Sequence, residues 1–253
     1  MSRRRTGAIA AALSVLVLGS PLIAGCGAQT TIAQAASNQA AESASADRRA
    51  LKDEIAELTK LIETNPQDAA AYYNRGIAKY ELKDYQGAIA DYTKAIEINP
   101  QLADAYYKRG NSKYRLGEYD AAIEDYDRAI DCNQQYFDAY SNRGYVKDEL
   151  KDYQGAISDY SKAIEINPQD AGTYSNRGIS KHKLNDYQGA IADYSKAIDI
   201  NPQHGGYYKI RGIAKGELGD HQGAIADFSK VIEINPQNAS AYANRGNAKS
   251  ILG

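Results

Sequence analysis

The sequence predicts an all-α fold, an α-solenoid of 34-residue helix-turn-helix repeats, and three observations carry that expectation. Asn65, Asn99, Asn133, Asn167, Asn201 and Asn235 recur every 34 residues, as do Gly76, Gly110, Gly144, Gly178, Gly212 and Gly246. Each period holds two amphipathic runs. The first sets Tyr72, Gly76 and Leu82 on one stripe; the second spaces Ala88, Ile89, Tyr92, Ala95 and Ile96 as a buried helix face does. The link between them, Leu82 to Tyr85, is too short for anything but a helical hairpin.

Taken in order, residues 1–25 read as an export signal. Arg3, Arg4 and Arg5 form a positive start, and the apolar stretch from Ala8 to Ala24 is broken by Ser14, Ser20 and Pro21, which is poor for a membrane-spanning helix. Leu22-Ile23-Ala24-Gly25-Cys26 resembles the lipobox of bacterial lipoproteins. That resemblance implies acylation of Cys26, a palmitate-type anchor in a bacterial membrane and a folded part outside the cytoplasm. Residues 26–47, rich in Ala, Ser and Gln, read as a flexible tether. Residues 48–68 read as an N-terminal capping helix, 69–238 as five complete units, and 239–253 as a C-terminal capping helix that begins a sixth. Asp84, Glu118, Asp152, Asp186 and Asp220 offer carboxylates to the start of each second helix, and Gly117 and Gly219 suit helix C-caps.

Tyr72, Gly76, Leu82, Tyr85, Ala88, Tyr92, Ala95 and Pro100, repeated through Pro236, closely resemble the signature of the tetratricopeptide repeat family. The resemblance covers about three-quarters of the chain and implies a right-handed solenoid that binds peptides or proteins along the first helices. It has local departures, Gln134 for the proline and His221 for a turn tyrosine, and two that recur: Arg75 where the family usually has Leu, and Lys79 where it has Tyr. Fourteen of the 21 tyrosines fall in the columns of Tyr72, Tyr85 and Tyr92, where rings are expected to fill the space between helices.

Composition removes other functions. Hydrophobic residues are 43% and charged residues 25%, as in a globular protein. Net charge is −2, with three of the 30 basic residues in the leader, so no nucleic acid partner is expected. Cys26 and Cys132 are far apart, and His182, His204 and His221 sit at unrelated repeat positions, so neither metal nor cofactor nor enzymatic activity is expected. Cys132 shares a column with Ile98, Ile166, Ile200 and Ile234 and reads as a small buried apolar residue.

The resemblance places Asn74, Lys108, Asn142, Asn176, Ile210 and Asn244 in the groove. Asparagine amides can hold a peptide backbone, though Asn could equally be the residue copied with each duplication. Tyr73, Tyr80, Tyr107, Tyr114 and Tyr145 make the first units aromatic; either they anchor a partner or they pack on one another. The family's carboxylate clamp is incomplete, since only Lys209 and Asn244 stand at its positions. The expected function is a membrane-anchored adaptor binding protein or peptide segments, with no small-molecule substrate. The alternatives are a transient assembly factor or holdase, or a regulatory subunit of an enzyme.

Charges also fall on the buried stripe. Arg75, Arg109, Arg143, Arg177, Arg211 and Arg245 form one column; Asp91, Asp125, Asp159, Asp193 and Asp227 form another, with Glu57 one period ahead. Pairing within a unit spans sixteen residues, and pairing between units spans eighteen. Only the second gives Glu57 and Arg245 partners, so a ladder joining each unit to the next is expected.

Overall fold

The computed structural model describes residues 27–253, so Cys26 and the leader lie outside it. It comprises α1 (Gly27–Thr64), α2 (Ala69–Glu81), α3 (Tyr85–Ile98), α4 (Ala103–Arg115), α5 (Tyr119–Cys132) and α6 (Phe137–Glu149). These are followed by α7 (Tyr153–Ile166), α8 (Ala171–Lys183), α9 (Tyr187–Ile200), α10 (Gly205–Glu217), α11 (His221–Ile234) and α12 (Ala239–Leu252). No strand occurs among the described residues. Each helix from α2 onward packs on its neighbours in sequence, which is the expected solenoid of helix pairs.

Residues 27–47, all but the first of the segment expected as a flexible tether, are helical within α1, which is followed by a turn over Asn65–Asp68. Its composition explains the difference. Ala, Gln and Glu are strong helix formers, and neither Gly nor Pro interrupts the chain between Ala28 and Asn65. None of the described helices is long and apolar enough to cross a membrane.

Local chemistry sets the helix boundaries. Asp84, Asp152, Asp186 and Asp220 each accept from the N–H three residues on, at 2.8–3.0 Å, capping the second helices. Glu118 makes no such bond. The residue that the Asp caps close upon is glycine, and a Cβ on Gly87 would lie 2.2 Å from the Asp84 carboxylate. Unit two instead pairs Glu118 with Ala121 and places Asp120 in the first turn. The hairpin turns require a left-handed residue. Gly117 and Gly219 supply it as expected, and Lys83, Lys151 and Asn185 adopt φ of 65°, 65° and 62°. Between units, the Asn99 side chain accepts from the Gln101 N–H at 3.1 Å, and Asn133 bonds Gln135 at 3.0 Å although Gln134 replaces the proline.

The core lies mainly on the second helices. Ala88, Tyr92 and Ala95 are fully buried, and their repeats follow through Ala224, Phe228 and Val231. A Cβ on Gly76 would come within 2.6 Å of the Tyr92 ring, so glycine there gives the ring its seat. Of the three tyrosine columns only this one is buried. The Tyr85 column is half-buried, and the Tyr72 column lies over the arginines, with ring centroids 5.4–5.7 Å from the guanidinium carbons. Cys132 is half-buried rather than buried, its Sγ 3.7 Å from the Pro100 carbonyl oxygen.

The ion ladder differs from expectation. Arg75 donates from Nε and Nη2 to both oxygens of Asp91, at 2.9 and 2.6 Å, so the pairing spans sixteen residues and lies within a unit. Arg109–Asp125, Arg143–Asp159, Arg177–Asp193 and Arg211–Asp227 repeat it. Lys79, the second recurring departure, joins the same carboxylate at 2.7 Å, and Lys113, Lys147, Lys181 and Lys215 do likewise. The link between units comes from a hydroxyl. Arg75 Nη1 donates to Thr59 Oγ1 at 3.0 Å, and Arg109, Arg177 and Arg211 bond Thr93, Ser161 and Ser195 at 3.0 Å. Glu57 is exposed and forms no rung. Two positions on an α-helix are about 200° apart, so the residue facing the next unit is Thr59 or Thr93, two beyond the acid. Arg245 has no acidic partner among the described residues; it bonds Ser229 at 3.3 Å.

A double-mutant cycle distinguishes the two geometries. Coupling between Arg109 and Asp125 should reach at least about 1 kcal/mol, whereas Asp125 and Arg143 should be additive within about 0.5 kcal/mol. Urea unfolding of the single and double alanine variants supplies the measurement.

Candidate functional site

The opposite face of the first helices is aromatic in the first three units. Tyr73 lies tilted against Tyr92 with centroids 5.9 Å apart, and Tyr107 against Tyr126 at 6.1 Å and Tyr136 at 5.1 Å. One turn or two further on, Tyr80 meets Tyr85 edge-on at 5.3 Å, and Tyr114 meets Tyr119 at 5.7 Å and Tyr145 at 5.8 Å. The packing role weighed for these rings is realised. Each packs on a neighbour, and Tyr80, Tyr114 and Tyr145 also line an open cavity of about 420 Å³ with Asn111, Arg115, Tyr126, Asn142 and Val146. Tyr145 is 43% exposed, the most accessible ring of the group.

The cavity floor is a hydrogen-bond network across α4, α5 and α6. Tyr126 Oη donates to Asn111 Oδ1 at 2.8 Å. Asn142 Nδ2 donates to the same oxygen at 3.0 Å and to Tyr107 Oη at 3.1 Å. At the rim, Arg115 Nε donates to Tyr80 Oη at 3.2 Å. Burial, reinforced by the Tyr145 hydroxyl, pushes the Tyr114 phenol up to about 12. Burial raises Tyr73 and Tyr107 as well, so these rings present neutral hydroxyls at physiological pH.

Of the residues expected to bind, the cavity collects Tyr80, Tyr114, Asn142 and Tyr145, with Tyr107 bonded to its floor. Tyr73, Asn74, Lys108 and Asn176 are not among its lining residues, and Asn244 lines a separate cavity of about 290 Å³ with Phe228, Ala248 and Ile251. Sequence reasoning missed Asn111, Arg115 and Tyr126. Asn111 carried a signal, since its column holds Ile77, Ile179 and Ile213 in other units. No cluster of three or more potential metal ligands exists among the described residues. His182 stacks edge-on with Tyr187 at 5.1 Å, and its buried Nε2 has no partner among them.

Comparisons with known proteins agree with this architecture. A family model described as TPR repeat matches residues 78–117, 110–148 and 214–253, and one described as tetratricopeptide repeat matches residues 137–170 and 171–204. No curated protein matches the chain. Among solved structures, YrrB, described as a TPR protein with an unusual peptide-binding site, aligns with a TM-score of 0.67 at 23% identity, covering 75% of this chain and 97% of its own. MamA aligns at 0.64 and 26% identity over 68% and 94% of the two chains. The C-terminal part of a TPR repeat-containing protein from Cytophaga hutchinsonii aligns at 0.67 and 21% identity, over 78% and 81%.

The network makes two hydroxyls unequal. Tyr126→Phe leaves Asn111 one bond short and should cost about 1 kcal/mol. The buried Tyr92 hydroxyl has no partner among the described residues, and Phe228 already fills the same place in unit five. Tyr92→Phe should therefore leave stability unchanged or raise it by up to about 1 kcal/mol, as read by chemical denaturation.

Proposed function

The chain belongs to the tetratricopeptide repeat family, and from that premise we propose that it is a non-catalytic adaptor holding peptide segments of partner proteins in the groove of its first three units. The single observation that carries this reading is the open cavity where Tyr80, Tyr114 and Tyr145 stand over the Asn111–Asn142 pair. Rigid rings with polar tips lose little entropy on binding and bury large apolar area, which is what interface anchors require. The peptide-binding site in YrrB's description supports the same use of the fold. The adaptor works from a membrane outside the cytoplasm, anchored by acyl chains on Cys26, a reading supported by the charged start, the apolar run and the small residues before that cysteine.

Two measurements test the two halves. Replacing Tyr80 and Tyr114 together with Ala should weaken partner binding by at least about 2 kcal/mol, while the helix content by circular dichroism stays intact. Unchanged affinity with a collapsed melting temperature would assign the rings to the core alone. Cys26→Ser should move the protein from the membrane pellet to the soluble fraction; retention through a high-salt wash would rule out acylation at that residue.

A further inference from the structure

Resting on the groove reading above, we propose that the ligand is an extended acidic segment. The main-chain N–H and C=O of one of its residues, which point the same way in an extended chain, bond Asn142 and Asn111, an apolar side chain enters among Tyr80, Tyr114 and Tyr145, and a carboxylate meets Arg115. The first element follows from accounting for hydrogen bonds. Asn142 spends its amide nitrogen on Tyr107 and Asn111, which leaves its Oδ1 as an open acceptor. Asn111 receives both bonds at its oxygen and turns its amide nitrogen toward the Tyr107 hydroxyl as well, which leaves one Nδ2 hydrogen as an open donor. Side by side on the cavity wall, the two amides offer one acceptor and one donor. That is the complement of a main-chain N–H and C=O. A helical ligand has already consumed those groups internally, so the chain that fits is extended.

Charge identifies the rest. None of the residues lining the cavity is acidic, and Arg115 is its one cation. Arg115 uses Nε on Tyr80, and neither Arg115 nor Lys108, which lies on the same helix outside the cavity lining, has an ion-pair partner among the described residues. Lys108 lies 5.6 Å from the Tyr107 ring centroid. By contrast, Arg109, on the same helix, is fully engaged with Asp125 and Thr93. A guanidinium with its outer edge free, set in an aromatic rim, selects a carboxylate over a cation.

Panning a phage-displayed library of random linear dodecapeptides on the full chain tests this. Enriched sequences should carry Asp or Glu at a fixed spacing from an aromatic or branched apolar residue. An enriched peptide and its Asn or Gln counterpart are then compared by fluorescence anisotropy. Arg115→Gln should weaken the acidic form about 3- to 10-fold and leave the amide form within about two-fold. Asn111→Asp keeps the acceptor to Tyr126 and Asn142 but loses the open donor, so it should weaken the amide form about ten-fold and the acidic form, which the new carboxylate also repels, by more, with helix content by circular dichroism intact. Enrichment without acidic bias, or equal losses for the two forms with Arg115→Gln, overturns the acidic ligand while leaving the groove reading in place. Absence of any enriched peptide overturns both.

Discussion

A carboxylate that is at most 4% exposed cannot stay charged without close partners, and each of α3, α5, α7, α9 and α11 carries one. The requirement is met the same way each time. Arginine and lysine from the paired first helix take both oxygens, and the arginine's remaining edge reaches a hydroxyl on the preceding second helix. One guanidinium therefore touches three helices, and its ring cover comes from a tyrosine three residues earlier. Desolvation offsets much of the attraction, so the arrangement contributes more to register than to net stability. A helix turned by one residue would strand a buried charge, and that penalty fixes both the pairing of helices and the stacking of units.

This constraint divides each first helix into two faces. Arg75, Lys79 and Gly76 are committed to the second helix of their own unit, and their columns hold the same residues in every complete unit. The other face is released. Tyr73, Tyr80 and their equivalents give way to Ser141, Ser175, Asp148 and His182 further along, without disturbing the ladder. The scaffold thus tolerates groove variation because its register is secured elsewhere, a division suited to a binding surface on stacked repeats.

Most of the fold was legible in the sequence because period, apolar spacing and turn residues all follow from local rules. Helix pairs, Asp caps and Asn turns needed no tertiary information. The ladder's partner choice did. Sixteen and eighteen residues fit the same period, and the deciding fact was angular: Thr93 lies about 200° round the helix from Asp91, so acid and hydroxyl face opposite neighbours. Glu57 shares the column of the buried acids but lies on an exposed face, so it is not their equivalent. Lys79 stood out as a departure from the family, but its carboxylate could not be named without coordinates. In α1, low complexity masked strong helix propensity.

The site was harder to read for a related reason. Where columns repeat, a residue serves the solenoid; where one unit breaks its column, some other demand is acting. Unit two breaks the most. It places Asn111 in a column otherwise rich in Ile, Tyr136 where other units carry Leu102, Asp170 or His204, and Asp127 where they carry Thr93 or Ser161. Each change converges on the junction with unit three. Tyr136 stacks on Tyr107 and donates to Asp104 at 2.5 Å, which steadies the ring that receives the Asn142 amide. Asp127 gives Arg143 a second carboxylate beside Asp159, so this junction alone replaces the usual hydroxyl contact with an ion pair. Asn142 is the residue before that arginine. The backbone that carries the Asn142 amide is therefore held at the next residue by two carboxylates, which would limit the reorganisation that the proposed ligand requires.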